Sequence, residues 1–245
     1  MTVAFISDLH LCADRPHKVT LFERLLAHLA GRCQALYVLG DLFEYWVGDD
    51  DDTPPNPGVV AAIAILVQAG TAVGVLHGNR DFLLGEGFAR ATGATLLAET
   101  AVVELHGVPT LLMHGDLLCT RDLPYQQLRR TVQNPQWKAA ALARPLAERR
   151  AIAAQMRDGS VEAKLAKAEE IMDVEPAAVG EALDRHGVRH LIHGHTHRPA
   201  VHEFQHGAQR ARRTVLGDWY ALDSVLVCEP GDRQRLLRVE DYLAR

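Results

Sequence analysis

The chain has 245 residues and a mass of 27.0 kDa, enough for one domain, or one domain with a large insertion, around a full core. Its 48% hydrophobic and 23% charged residues are those of an ordinary soluble protein, and a net charge of −5 excludes a global basic field for nucleic acid. Cys12, Cys33, Cys119 and Cys228 form no CxxC or close pair, the pattern of a reduced, cytosolic compartment.

The first expected strand begins at residue 2. Its apolar run Val3–Ile6 delivers Asp8 and His10, which leaves no room for a signal peptide. Val19–Ala30 carries Leu21, Leu25, Leu26 and Leu29 at helical spacing. Leu36–Leu39 reads as a second strand, ending at Gly40-Asp41. Asp49–Asp52 and the proline-rich 53–58 form a loop, and Val59–Ala69 a helix. The apolar stretch Val59–Val67 has nine residues, about half of the roughly 20 that cross a bilayer. Val73–Leu76 leads to Gly78-Asn79-Arg80-Asp81. Residues 101–114 read as a hairpin, Ala101–Leu105 and Thr110–Met113 about a turn at His106-Gly107-Val108-Pro109, leading to His114-Gly115-Asp116.

From 122 to 186 the pattern is nearly all helix, with breaks expected at Asn134-Pro135, Arg144-Pro145, Asp158-Gly159 and Glu175-Pro176. Strands resume at Arg189–Ile192, Ala200–Phe204, Arg213–Leu216, Ala221–Val227 and Arg235–Glu240, and Gly194-His195-Thr196-His197 follows the first of them. The expected organisation is a core of residues 1–121 and 187–245, with 122–186 inserted as a helical cap over the site.

Five blocks therefore place Asp, Asn or His directly after apolar, β-rich runs: Asp8-Leu9-His10, Gly40-Asp41, Gly78-Asn79-Arg80-Asp81, His114-Gly115-Asp116 and Gly194-His195-Thr196-His197. Side chains at the ends of buried parallel strands gather on one edge of a sheet, where open α/β folds bind ligands. Carboxylate oxygen and imidazole nitrogen, without thiolate, suit hard or borderline divalent ions. Two ions roughly 3.5–4 Å apart need a shared carboxylate, and Asp41, alone on its strand end, is the natural bridge. The glycines before three of the blocks' key residues are expected to allow tight turns and close approach to substrate. A lone Asp-x-His or Gly-Asp carries little information; five in order, each at a strand end, carry much more.

These blocks resemble the signature D-x-H…G-D…G-N-H-[DE]…H…G-H-x-H of the calcineurin-like metallophosphoesterases, over residues 3–200. The resemblance implies a four-layer α/β/β/α sandwich with a helical cap and a centre of two Mn²⁺ ions. It implies Asp8, His10, Asp41 and His197 as ligands of one ion, with Asn79, His114 and His195 joining Asp41 at the other. In such a site metal-activated water attacks phosphorus in line.

One position departs. Arg80 stands where the family has a histidine credited with assisting an alkoxide leaving group. Arginine donates no proton at physiological pH, since its pKa exceeds about 12, but it clamps phosphate oxygens through paired hydrogen bonds. That favours a leaving group needing no proton, such as phosphate; the plainer alternative is a surface ion-pair residue. Gly78-Asn79-Arg80-Asp81, the segment Gly40–Asp50 and the segment Ile192–Pro199 resemble, more narrowly, pyrophosphatases of bacterial lipid A biosynthesis that act on UDP-2,3-diacylglucosamine. That resemblance implies attack at the α-phosphorus, giving UMP and 2,3-diacylglucosamine 1-phosphate. It implies Asp41, Asn79, Arg80, His114 and His195 as catalytic, and Asn79, Arg80, Asp122, Ser160, Lys164, Lys167 and His195 as contacts to the glucosamine phosphate.

By spacing alone, Ser160, Lys164 and Lys167 share one face of a helix starting near 160, with Ser160 a candidate N-cap and Glu169 and Glu170 candidate ion-pair partners. Trp46, Trp137, Leu142, Leu146, Ile152, Met156 and Ile171 are candidates for an acyl trough or for core. Arg129, Arg130, Arg144, Arg149, Arg150 and Arg157 form a basic run able to meet anionic lipid on the cytoplasmic face of an inner membrane. Rival readings are a phosphoesterase for another nucleotide or phosphodiester, a metal-free binding module on the same fold, and a nucleophilic role for Cys119.

Overall fold

The computed structural model describes residues 2–166, 173–231 and 233–245, with the backbone course alone for 157–166. Among these residues two sheets form the centre. The first has the order β11-β10-β1-β2-β3-β4: β1 (Thr2–Ile6), β2 (Cys33–Leu39), β3 (Ala72–Leu76) and β4 (Thr95–Leu96) run parallel, β10 (Ser224–Glu229) adds antiparallel to β1, and β11 (Arg233–Arg238) adds antiparallel to β10. The second has the order β5-β6-β7-β9-β8. In it β6 (Val108–Met113), β7 (His190–His193) and β9 (Gln209–Val215) are parallel, and β5 (Thr100–Leu105) and β8 (Ala200–His206) are the antiparallel edges.

The strand period of two sorts side chains into layers. Ala4 and Ile6 of β1 face outward to α1 (Pro16–Leu29), α2 (Asn56–Gln68) and α3 (Glu86–Thr92), packing with Leu25, Ile63 and Phe88. Val3 and Phe5 face inward and meet Leu112 of β6 and Ile192 of β7 between the sheets. Leu111 and Leu191 face the far side, where Val179, Ala182 and Leu183 of α7 (Pro176–His186) cover them. The result is the expected α/β/β/α stack. The strand ends, however, do not share one sheet edge: β1, β2 and β3 belong to one sheet, β6 and β7 to the other. A strand buried on both faces reads as the same apolar run in either sheet, so the sequence pattern does not distinguish them.

Several boundaries differ from expectation. The hairpin turn is only His106-Gly107, both at positive φ (51° and 88°), the geometry of a two-residue primed turn; Val108 and Pro109 already lie in β6. Pro109 is tolerated there because β7 pairs only from Thr110 onward. Helix α2 begins at Asn56 because Pro57 sits in the first turn, where its missing N–H costs nothing.

Between β6 and α7 the chain forms α4 (Leu123–Val132), α5 (Pro135–Leu142) and α6 (Leu146–Ala166). Asn134 caps α5, accepting from the backbone N–H of Gln136 at 2.8 Å. The break expected at Asp158-Gly159 is absent: α6 runs through it, so no helix starts near 160 and Ser160 is not an N-cap. One interior glycine costs about 1 kcal/mol, which the surrounding Ala, Arg, Glu, Lys and Leu outweigh.

Candidate metal centre

The five blocks converge. Asp8 Oδ1 lies 3.3 Å from His197 Nε2, and Asp41 Oδ2 lies 3.8 Å from His10 Nε2 and 3.9 Å from His114 Nε2. Asn79 Oδ1 is 3.1 Å from both His114 Nε2 and His195 Nδ1, which are 3.2 Å apart. Asp8, His10 and His197 form one compact donor group and Asp8, Asp41 and His114 another. Asp41 Oδ2 thus stands between a histidine of each group, and Asp8 belongs to both groups.

These donors fit a cation. Around an ion ligated at about 2.1 Å, neighbouring donors lie roughly 3.0–3.4 Å apart, the range of the tighter contacts here. His114 Nδ1 faces the carbonyl of Leu39 at 2.8 Å; donating its hydrogen there leaves the Nε2 lone pair directed into the site. The charge balance agrees. Burial works to raise Asp8, but His197, His114 and His10 hold it far below the usual carboxylate range. Burial pushes Asp41 up to about 7, and Asp81 and Asp8 reinforce this against the pull of His114. Burial opposes charge on His114, but Asp41, Asp8 and Asp116 raise it to about 9. Burial, helped by charge on His114, takes His195 down to about 3.

The backbone is bent to make this convergence. Asp8, His10, Asp41, His195 and His197 all sit at positive φ, between 50° and 67°, a region that Asp and His visit more readily than most side chains. Asp81 accepts from the backbone N–H groups of Gly78 (2.7 Å) and Leu42 (2.7 Å), locking two of the loops together. A Cβ on Gly40 would come within 2.6 Å of His114 Nδ1, one on Gly78 would strike Asp41, and one on Gly194 would strike Asp8 and Ser7. The glycines serve close approach between neighbouring loops, rather than approach to substrate.

Beside these groups opens a cavity of about 880 Å³. Asp41, Asn79, Arg80, His195 and His197 line one part; Trp46, Phe82, Leu128, Trp137, Ile152 and Met156 line an apolar part bordered by α4, α5 and α6. Arg80 Nε is buried without a hydrogen-bond partner among the described residues, and Arg80 meets no carboxylate in an ion pair there, which disfavours the surface-pair alternative. Asp122 also lines the cavity, while its side chain caps α4 by accepting from Tyr125 N–H at 3.2 Å. Of the trough candidates, Leu142 and Leu146 lie outside the lining. The side chains of Arg157, Ser160 and Lys164, and the whole of Lys167, Glu169, Glu170 and Ile171, lie outside the described residues.

Three arginines of the basic run are paired with carboxylates of this chain, while Arg130 and Arg144 are exposed. Arg129 pairs with Asp116 at 2.6 Å and with Glu99, Arg149 with Asp50 at 2.5 Å, and Arg150 with Asp51 at 2.5 Å. Cys119 is buried, and burial with Asp116 beside it pushes its thiol up to about 12; it is no nucleophile. His193 is fully buried behind the site, and His77 faces the carbonyl of Leu84 at 2.8 Å.

Sequence reasoning missed one segment. Asp218 Oδ2 lies 3.6 Å from His197 Nδ1, Trp219 N–H donates to the carbonyl of Asp8 at 3.0 Å, and the Tyr220 ring lies 4.8 Å from that of His10. The signal was present: Val215-Leu216-Gly217-Asp218 repeats the form of Val38-Leu39-Gly40-Asp41.

The calcineurin-like phosphoesterase family model matches residues 1–199. The chain belongs to that family. Among curated relatives of this phosphoesterase, the UDP-2,3-diacylglucosamine hydrolase of Aeromonas salmonicida is 52% identical over 96% of this chain and 92% of its own. The protein of the same name from Escherichia coli is 50% identical over 92% of this chain and 94% of its own. Among solved structures, an archaeal phosphodiesterase has a TM-score of 0.53 at 12% identity, covering 97% of this chain and 99% of its own. A phosphoesterase from E. coli has a TM-score of 0.52 at 17% identity, covering 98% and 94%. Both share the fold. No helix among the described residues is long and apolar enough to cross a membrane.

Proposed function

We propose that this phosphoesterase hydrolyses the pyrophosphate bond of UDP-2,3-diacylglucosamine at the α-phosphorus, giving UMP and 2,3-diacylglucosamine 1-phosphate in lipid A biosynthesis. The observation that carries the reading is the continuity of the donor cluster with an apolar cavity under the cap, which suits a substrate joining a diphosphate to acyl chains. The names of relatives about half identical over nearly the whole chain support the same substrate.

Asp8, His10, Asp41, Asn79, His114, His195 and His197 would hold two Mn²⁺ ions. Such ions, when bound, supply Lewis acidity, lowering the pKa of water and neutralising charge at phosphorus. The chain's own groups do the rest. Arg80 holds phosphate oxygens and needs to protonate nothing, because the leaving phosphate is already a stable anion. Asn79 and His195 border the same end of the cavity, and Asp122, Ser160, Lys164 and Lys167 complete the contacts to the sugar phosphate. The apolar walls from Trp46, Phe82, Trp137 and Ile152 take the acyl chains and exclude water.

The protein works peripherally at the cytoplasmic face of the inner membrane. Leu123 (70% exposed), Leu128 (45%) and Leu142 (42%) on α4 and α5 supply the apolar contact; the internally paired arginines contribute little. Binding to anionic vesicles should survive Arg150→Ala and fall on Leu123→Glu. Flotation showing no vesicle binding by the wild type would remove the membrane from this reading.

The test of function is UMP release from UDP-2,3-diacylglucosamine by metal-stripped protein, with and without Mn²⁺. Mn²⁺-dependent UMP formation is expected. Mn²⁺-dependent cleavage of an aryl phosphodiester alone would keep the metal centre and discard the lipid substrate.

A further inference from the structure

Beyond the five blocks, and beyond the residues matched by the family model, the chain returns to the site. Strand β9 runs parallel to β7 and ends at the same edge, so the segment that follows it, Gly217–Tyr220, arrives beside the loop that carries His195 and His197. Trp219 is fully buried, packs on Phe22 with ring centroids 6.4 Å apart, and donates its Nε1–H to the carbonyl of Ser224 at 3.0 Å. This anchor fixes its two neighbours. Asp218 Oδ1 accepts from the N–H groups of Tyr220 (2.7 Å) and Ala221 (2.9 Å), which turns Oδ2 toward His197 Nδ1 at 3.6 Å. Tyr220 lies against His10, donates its hydroxyl to Glu44 Oε2 at 2.9 Å, and is covered by the Arg15 guanidinium 4.3 Å from its ring centre. Arg15 in turn donates to Glu44 Oε2 at 2.9 Å and to the carbonyl of His10.

We propose that Gly217–Tyr220 is a positioning clamp for one of the two ions, that of Asp8, His10 and His197, with Asp218 and Tyr220 as its positioning residues. Each of the three candidate ligands is held by a different residue of the segment: His197 by Asp218, the Asp8 backbone by Trp219, and His10 by Tyr220. Asp218 and Tyr220 meet His197 and His10, which belong to that donor group alone, and among the described residues neither hydrogen-bonds nor ion-pairs with Asn79, His114 or His195, so the effect of these two falls on one ion. A carboxylate opposite Nδ1 favours the His197 tautomer with hydrogen on Nδ1 and the lone pair on Nε2, which is the nitrogen facing Asp8. The 3.6 Å separation is an ion-pair distance, longer than a hydrogen bond, so Asp218 acts through charge. Tyr220 packs on the His10 ring, and Arg15 holds both the Tyr220 ring and the His10 carbonyl.

The inference rests on the two-ion reading of the centre, and its test separates the two. Mn²⁺ titration by calorimetry and by electron paramagnetic resonance would be run on wild type, Asp218→Asn and Tyr220→Leu. Asparagine keeps the acceptor for the Tyr220 and Ala221 N–H groups but removes the charge. One Mn²⁺ is expected to bind about 10–100-fold more weakly in Asp218→Asn while the other is unchanged. The spin-coupled signal of paired Mn²⁺ would then need more metal to appear, leaving a mononuclear signal at lower loading. Tyr220→Leu should weaken the same ion, and Asp218→Glu should restore part of the loss. Unchanged affinities, or equal weakening of both ions, would overturn the clamp. If Asp218→Asn fails to fold, Tyr220→Leu reads the same selective loss. A wild type that binds a single ion defeats the two-ion reading instead, and the clamp then stands or falls on that ion's affinity in Asp218→Asn.

Discussion

Five of the seven candidate ligands sit in left-handed backbone conformations, so each loop spends local strain to turn its side chain inward, and convergence requires neighbours without Cβ atoms. Gly194→Ala should therefore act through Asp8, lowering Mn²⁺ affinity by at least about tenfold, measured by calorimetry. Asp41→Ala removes the oxygen between His10 and His114 and should abolish detectable turnover. Arg80→Ala should reduce hydrolysis of the diphosphate substrate by about 10²-fold or more, and that of an activated aryl phosphodiester far less. Equal losses in kcat/KM for both would show that Arg80 does not serve the leaving phosphate. These residues were legible because Asp, Asn and His stood in order after apolar runs. Asp218 has the same setting but no histidine beside it, and nothing local says that the loop after β9 reaches His197. Its role appears only once β9 is seen beside β7.

The elements that were hardest to foresee are those whose partners are remote in sequence. Helix α3 has no side-chain cap of its own; Asp49 accepts from Gly85 N–H (3.0 Å) and Gly87 N–H (2.7 Å) across 36 and 38 residues. Helix α6 continues through Asp158-Gly159 because helix-forming neighbours outweigh one glycine, where a local reading puts a stop. Its near end is pinned from the same acidic loop. Arg149 donates to the carbonyl of Val47 at 2.6 Å and to both oxygens of Asp50, and Gly48 leaves the space its guanidinium occupies. The composition of Asp49–Asp52 reads as a loop or turn, yet it joins α3 and α6 to the loop that carries Trp46 and Val47. Arg149→Ala should destabilise the fold by about 1–2 kcal/mol, the scale of lost buried hydrogen bonds, seen as a lower urea midpoint. It should also raise KM for the diacylated substrate, because α6 supplies Ile152 and Met156 to the cavity wall. An unchanged urea midpoint would mean that α6 is held by packing alone.

At the scale of the molecule, the donor cluster joins the two sheets, so metal loading and folding are linked. In the metal-free protein Asp41 is raised from 3.8 to about 7 and His114 from 6.5 to about 9. Both shifts are upward, so the fold favours the protonated forms. That contribution is complete below the unfolded pKa values and is lost as pH rises, through about 7 for Asp41 and about 9 for His114. Metal binding has the opposite sign, since a ligand must release its proton before it coordinates. Between about pH 7 and 9 loading should displace the His114 proton, so apparent affinity should rise with pH. Below about pH 7 Asp41 adds a second proton and the dependence should steepen, while His195, held near 3, contributes none. The stability that Asp41 and His114 contribute to the metal-free protein should therefore fall from pH 6 to 9, while the gain in Tm on adding Mn²⁺ grows over the same interval. Thermal melts at fixed free Mn²⁺ across that range check both slopes. A metal-induced gain in Tm that does not change with pH would show that neither His114 nor Asp41 gives up a proton on loading.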